Sequence, residues 1–207
     1  HYRGFYSAAS DYFTHMVGAG FDYHRDQCRG QKGSDASVQG VYTTEAVTNA
    51  VQEWITGQLT ARPDAKTFAY VAHEAVHGPM EVPVQYIRGA CDALVPADHP
   101  TRKIYCGMVR AVDESVGNIT ATYAALGLGE STLVVLTGDN GGIPQDGGYN
   151  WPLRGNKFSN FEGGVRVPAF VWSALMPDKL RGTTFRGIFH AADWLPTFAS
   201  AVGRAEI

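Results

Sequence analysis

The sequence predicts an α/β chain: a mostly parallel sheet covered by helices on both faces. Short runs rich in β-branched and aromatic residues, at 67–72, 133–136 and 169–172, read as strands. Two longer stretches, 43–59 and 104–126, place apolar residues at spacings of three and four, the period of a helix with one buried face. The order is helix, strand, helix, strand, strand, helix, which favours parallel strands joined by covering helices.

Residues 1–40 are rich in Gly, Asp, Tyr and His without a sustained period, and are expected to be irregular and surface-lying. His15 and His24 read as ordinary surface histidines, and Arg25-Asp26 as a solvated pair. In the helix at 43–59, Val47, Val51, Trp54, Ile55 and Leu59 share a stripe. Thr43 or Thr44 is a candidate cap, and Pro63 lies past its end.

The strand at 67–72 runs into His73-Glu74-Ala75-Val76-His77-Gly78-Pro79. His-Glu-x-x-His is formally the zinc-protease pattern, with two histidines one helical turn apart and a glutamate base. That chemistry needs a continuous helix, whereas Gly78-Pro79 is a helix stop. The other readings put His77 on a loop beyond a strand, as a site residue or as a structural histidine. Residues 80–103, with Pro83, Pro96 and Pro100, read as an insertion. In the helix at 104–126, Val109, Val112, Val116, Ile119, Tyr123 and Leu126 mark one face, and Gly127 supplies the stop. Asn118-Ile119-Thr120 is an N-glycosylation sequon.

Residues 133–136, Leu-Val-Val-Leu, read as a strand buried on both faces. The run ends at Gly138-Asp139-Asn140-Gly141-Gly142. A carboxylate beside a carboxamide at a strand end offers two hard oxygens, which suits Ca²⁺ or Mg²⁺. An Asx turn that merely leaves the strand is the plain alternative. Between Asn150 and Pro168 the glycines, Lys157, Arg154 and Arg166 suggest an anion-facing loop, set against a solvated Gly-rich one. His190 and Asp193 precede a final helix, and both read as structural, with Asp193 as its cap. In a parallel sheet, His77, Asp139 and Lys157 would converge at one edge.

Composition narrows the function. The chain has 207 residues, 44% hydrophobic and 18% charged, and a net charge of −3, so nothing points to nucleic acid. No apolar run approaches the roughly 20 residues of a membrane span. Cys28, Cys91 and Cys106 make no CxxC metal spacing. Cys91 and Cys106 flank one loop and are expected to pair, leaving Cys28 for a partner elsewhere.

Taken in order, these motifs resemble the sulfatases of the alkaline-phosphatase superfamily, most of all the arylsulfatase B or N-acetylgalactosamine-4-sulfatase-like group. The resemblance runs from Arg3-Gly4-Phe5 and Ser10-Asp11-Tyr12 through Ala75-Val76-His77-Gly78-Pro79 and Met108-Val109-Arg110-Ala111-Val112-Asp113-Glu114. It continues through Gly138-Asp139-Asn140-Gly141-Gly142, Asn150-Trp151-Pro152-Leu153-Arg154-Gly155 and Glu162-Gly163-Gly164-Val165-Arg166 to His190-Ala191-Ala192-Asp193-Trp194-Leu195-Pro196-Thr197.

The resemblance implies Ca²⁺-assisted hydrolysis of sulfate esters, of sulfated sugars or aryl sulfates, with Mg²⁺ as the alternative ion. Asp139 and Asn140 match the second pair of metal ligands, and His77 and Lys157 match residues that contact the sulfate. The family's nucleophile is a formylglycine made from cysteine in a Cys-x-Pro/Ala-x-Arg context, which none of the three cysteines has. The first Asp-Asp metal pair is also absent. Residues 1–207 are therefore expected to be the middle and C-terminal part of one catalytic domain, inactive alone. Localisation in the secretory pathway, lysosomal or extracellular, follows from the sequon, the expected disulfide and the family. Two other readings are a phosphodiesterase of the superfamily, which would call for two metals and further His and Asp ligands, and a sulfatase-like binding protein without turnover.

Overall fold

The computed structural model describes residues 1–27 and 31–204. Cys28 lies outside the described residues, and so does its expected pairing. The chain divides into two compact units, His1–Ala174 and Leu175–Ile207.

The described residues of 1–40 form short strands, contrary to the irregular structure expected. β1 (Tyr2–Gly4) is followed by a small hairpin of β2 (Met16–Val17) and β3 (Gly20–Phe21), then by β4 (His24–Gln27) and β5 (Gln31–Ser34). β4 pairs antiparallel with both β1 and β5. Strands of two to four residues are too short to show a period, which is why the sequence hid them. Asp22 ties the segment together, accepting the amides of Tyr6 (3.1 Å) and Ser7 (2.9 Å) and a contact from His24 Nε2 at 2.9 Å. Burial opposes its ionisation, but these hydrogen bonds prevail and hold its carboxyl down at about 2. His15 is 0% exposed, a correction to the surface reading, with Nε2 3.0 Å from the Val38 carbonyl. Arg25 pairs with Glu53 (3.4 Å), and Asp26 accepts from Tyr6 Oη (2.7 Å), so they are not a pair of their own.

α1 (Thr43–Ala61) follows its expected range, but its N-cap is Tyr42, with no side-chain capping bond. Thr43 instead donates through Oγ1 to the Tyr12 carbonyl at 3.1 Å. The 80–103 insertion holds two short helices, α2 (Val84–Ile87) and α3 (Ala90–Leu94), before α4 (Pro100–Ala125). Gly127, at φ +76°, follows the end of α4 as expected.

On α1 the expected stripe is buried at Ile55 and Leu59, joined by smaller neighbours, whereas on α4 the buried positions are displaced from the expected aliphatics. α1 buries Ala46, Thr48 and Ala50 with Ile55 and Leu59, and α4 buries Gly107, Met108, Ala111 and Ser115 while Val109 is exposed. Small residues let the helices approach closely, and Thr48 Oγ1 meets Ser115 Oγ at 2.6 Å across them. At Gly107 an added Cβ would lie 3.0 Å from Val82 Cγ1 and 3.1 Å from Ile87 Cγ1. The core is Tyr12, Tyr42, Tyr86, Met108 and Ala111, flanked by Ala75, Val76, Met80 and Val82. The expected disulfide is present: Cys91 and Cys106 are bonded with Cα atoms 5.8 Å apart, 15 residues apart in sequence. Closing such a loop stabilises the fold by roughly 3 kcal/mol in the chain-entropy model.

β6 (Leu133–Thr137) is the central strand read from sequence, and β7 (Ala169–Ser173) its expected companion. They pair antiparallel, aligning Val134 with Trp172, Val135 with Val171 and Leu136 with Phe170. Every ladder among the described residues is antiparallel, a correction to the parallel pairing expected from the order of elements. The reason lies in the connection: β6 returns to β7 through a Gly-rich loop segment with one short helix, α5 (Glu162–Val165), not through a long crossover helix. Residues 67–72 form no ladder among the described residues, and Phe68 and Tyr70 are 71% and 85% exposed.

The second unit contains α6 (Trp194–Ala201). Asp193 stands at the N-cap position of α6 as expected, but its side chain makes no capping bond to that helix and turns back to His190 instead. The His190 amide donates to Asp193 Oδ2 (2.6 Å) while His190 Nδ1 accepts from the Ala192 amide (3.1 Å). Trp194 packs between Phe189 and Phe198, with ring centroids 4.5 and 5.5 Å away.

Candidate active site

His77 lies on a turn, not a helix, which disposes of the zinc-protease reading of residues 73–77. The two histidines part company. His73 is directed inward, with Nε2 3.1 Å from Ser115 Oγ on α4, and its Nδ1 is buried without a partner. His77 is exposed. Glu74 is buried and accepts from the amide of Ser10 and, at 3.2 Å, from its hydroxyl, and burial pushes its carboxyl up. It therefore serves as a structural acceptor.

The His77 turn is held from three sides. The His77 amide donates to the Glu74 carbonyl (2.8 Å), and Tyr12 Oη donates to the His77 carbonyl (2.9 Å). Tyr42 Oη donates to the Glu81 carbonyl (3.1 Å), and Glu81 Oε2 accepts the Tyr12 amide (3.0 Å). His77 Nδ1 lies 2.8 Å from the Gly78 carbonyl. A carbonyl only accepts, so Nδ1 carries the hydrogen, and in the neutral ring Nε2 is the nitrogen left with a lone pair.

Asp139 and Asn140 leave β6 as the sequence suggested. The Asn140 amide donates to Asp139 Oδ1 (2.7 Å). This is a bond to the next residue and not an Asx turn, in which the side chain accepts from the amide two residues on; the Gly141 amide goes to Gly164 instead. The bond does not exclude ligation, because Asp139 keeps its second oxygen. Asn140 Nδ2 donates to the Gly141 carbonyl (3.1 Å), which commits the nitrogen side of the amide and leaves Oδ1 to face elsewhere. The pair thus offers two hard oxygens, suited to Ca²⁺ or Mg²⁺ though fewer than the six to eight that Ca²⁺ takes. Among the described residues no group of three or more His, Cys, Asp and Glu is placed to hold a metal.

The loop bearing this pair is stitched to the segment bearing Lys157. The Gly141 amide donates to the Gly164 carbonyl (2.9 Å), and the Gly142 amide to Asn150 Oδ1 (3.0 Å). Asn150 Nδ2 returns to the Gly142 carbonyl (2.8 Å), and the Gly163 amide donates to the Arg154 carbonyl (2.7 Å). The backbones approach so closely at Gly141 that a Cβ there would fall onto the Gly163 carbonyl. Lys157 sits on a turn from Asn156 to Ser159, closed by the Ser159 amide on the Asn156 carbonyl (3.0 Å). The Arg154 guanidinium lies over the Phe161 ring at 4.0 Å. Of the four residues proposed from sequence, the structure thus joins Asp139, Asn140 and the Lys157 loop in one hydrogen-bonded assembly. His77 is held separately, and no hydrogen bond or ion pair among the described residues links it to them.

Sequence reading left His73 unassigned. Burial drives its pKa from the ordinary 6.5 down to about 4, so the folded protein holds it neutral. The unfolded chain takes up that proton first. The stability it contributes is complete above pH 6.5 and is lost as pH falls toward 4. Between pH 7 and 5 the loss is about 2 kcal/mol. In the complete protein, His73→Gln should flatten the pH dependence of urea unfolding over this range by about that much. Equal pH dependence in parent and variant would contradict the assignment.

The fold and these motifs define a sulfatase domain. The family model described as Sulfatase matches residues 2–204, and the chain belongs to the sulfatase family, of the alkaline-phosphatase superfamily. Arylsulfatase J of Mus musculus is 33% identical over 198 residues, covering 93% of this chain and 31% of its own length. N-acetylgalactosamine-6-sulfatase of Mus musculus is 32% identical over 146 residues, covering 69% and 25%. The solved structure of Ps i-CgsB in complex with k-i-k-neocarrahexaose superposes with a TM-score of 0.80 at 26% identity, covering all of this chain and 46% of that one. The α/β class predicted from sequence is the class of these neighbours. The chain spans about a third or less of the curated relatives it matches.

Proposed function

We propose that the complete protein is a sulfuric ester hydrolase acting on sulfated sugars or aryl sulfates, and that residues 1–207 are the middle and C-terminal part of its catalytic domain. One observation supports the assignment of site residues: the loop that follows Asp139 and Asn140 is hydrogen-bonded to the segment 150–164 that carries Lys157, so an acidic, oxygen-rich strand end and a cation belong to connected loops. A sulfate ester asks for both, a cation for its own charge and hard oxygens for the metal that helps polarise it.

Asp139 and Asn140 would hold Ca²⁺, with Mg²⁺ as the alternative, and the ion would supply Lewis-acid stabilisation of charge on the transferring group. Lys157 contributes its ammonium to the sulfate oxygens. His77, fixed by its Nδ1 hydrogen bond, presents Nε2 as the atom that holds or yields a proton beside the ester. Cys91 and Cys106 are locked in their disulfide, so neither is free to become the nucleophile. The resemblance to the family assigns that role to a formylglycine, for which none of the three cysteines here has the sequence context.

Support for a secretory location comes from the disulfide, which persists in oxidising compartments, and from Asn118, which is exposed on α4 as a glycan requires. Among the described residues no helix is long and apolar enough to cross a membrane.

The test is hydrolysis of 4-nitrophenyl sulfate. The complete protein should release nitrophenol, and the 207-residue chain alone should not exceed a heat-treated control. Sulfate binding by the complete protein without turnover would favour a sulfatase-like binding protein, and hydrolysis of bis(4-nitrophenyl) phosphate in place of the sulfate ester would favour a phosphodiesterase.

A further inference from the structure

Phe158 is bulky, yet it sits at φ +75°, in the left-handed region that glycine takes freely and L side chains enter only at a penalty. It occupies the third position of the turn from Asn156 to Ser159. The turn is braced further by Ser159 Oγ, which donates to the Asn156 carbonyl (2.7 Å) and accepts the Asn156 amide (3.2 Å). It is also clamped from outside, since a Cβ at Gly164 would collide with the carbonyls of Ser159 and Asn156. Among the described residues burial does not offset the penalty: Phe158 is 91% exposed. Glycine at this position would be easier for the backbone and would remove an apolar ring from water. Strain held in place by a rigid surround, with no packing gain, marks a side chain kept for what it presents.

What it presents is a ring beside a cation. Lys157 Nζ lies 5.4 Å from the Phe158 ring centroid, within cation–π range, so the ammonium and the aromatic face lie within the span of one small molecule. A ligand that uses both carries an anionic group on a flat or apolar-faced ring. An aryl ring stacks on phenylalanine, and the C–H face of a pyranose packs on it as well.

We propose that Phe158 is a specificity-determining platform that receives the ring bearing the sulfate ester, while Lys157 takes the sulfate. This rests on the sulfatase reading given above, and it assigns the ring, not the ester, to Phe158. Esters on aromatic or sugar rings are thereby favoured over the bare anion.

The experiment uses the complete protein with three variants, Phe158→Gly, Phe158→Tyr and Lys157→Ala. It measures kcat and KM on 4-nitrophenyl sulfate and on a sulfated N-acetylgalactosamine, and competitive inhibition by inorganic sulfate. Phe158→Gly suits the turn, so its melting temperature should hold or rise. Its kcat/KM on both ring substrates should fall about tenfold, mostly through KM, while the inhibition constant for sulfate stays within about twofold. Phe158→Tyr should retain the parent's values, and Lys157→Ala should weaken sulfate inhibition.

Unchanged kcat/KM in Phe158→Gly would overturn the proposal. So would a fall matched by an equal loss of sulfate inhibition, since the ring would then only be positioning Lys157. A lower melting temperature with intact kinetics would show instead that the ring packs against another part of the complete protein. No turnover by the parent, or sulfate inhibition untouched by Lys157→Ala, would sink the underlying sulfatase reading.

Discussion

Asp139→Ala in the complete protein is expected to lose bound Ca²⁺ and sulfatase activity together, with activity down roughly 10³-fold, several kcal/mol of transition-state stabilisation. The carboxylate is the charged member of the pair. With Oδ1 accepting the Asn140 amide at 2.7 Å, the second oxygen is the one available to the proposed ion. Asn140→Ala should weaken binding and activity without abolishing either, since it removes one neutral oxygen. Asp139→Asn separates charge from geometry: it keeps an acceptor for the Asn140 amide and should still lose most of the metal. Elemental analysis beside a rate assay decides the matter. Full metal occupancy in Asp139→Ala would mean that Asp139 has only a local structural part at the end of β6.

How far the chain could be read without its structure depended on the length of each signal. The long helices were legible because three or more turns of apolar spacing survive noise, and their ends at Pro63 and Gly127 carry their own chemistry. Their buried faces were legible only in part: Ile55 and Leu59 of the expected α1 stripe are buried, but the close approach also uses Ala46, Ala50, Gly107 and Ala111, small residues that carry little apolar signal. β6 was plain from four consecutive apolar residues. Its pairing direction was hidden, because direction is set by the 138–168 connection, whose glycines show that it is tight without showing where it leads. Asp139 and Lys157 stood out by residue type and position. The frame that joins them was not visible, since it consists of backbone amides and carbonyls that any sequence possesses. Phe158 gave no signal at all, because a positive φ is not in phenylalanine's own propensity and nothing in the sequence marks the close packing of Gly164 on its turn.

His77→Ala and Lys157→Ala should each cost the complete protein roughly 10² to 10³ in kcat/KM toward a sulfate ester, about 3 to 4 kcal/mol, the usual loss for one electrostatic contact to a transferring group. Glu74→Gln should stay within about tenfold of the parent. The contrast tests the assignment, because the three residues lie close in sequence or type to two rival sites. Had residues 73–77 formed a helix, Glu74 would be the base and His73 a ligand beside His77. Instead His73 faces Ser115, and Glu74 accepts from both polar groups of Ser10. Glutamine can preserve that arrangement: its oxygen still accepts the Ser10 amide, and its NH₂ can donate to the Ser10 hydroxyl oxygen. Burial already favours the uncharged form of Glu74, so losing the charge is tolerable, and the variant should melt within a few degrees of the parent. For His77 the tautomer gives a second handle. With Nδ1 committed to the Gly78 carbonyl, Nε2 is the nitrogen available to the proposed substrate. His77→Gln can place an amide nitrogen near Nε2 as a donor but supplies no titrating base, so it should retain more sulfate affinity than alanine while losing the rate. Activity lost only in Glu74→Gln, with Lys157→Ala close to normal and all variants folded by thermal melting, would overturn the site as drawn.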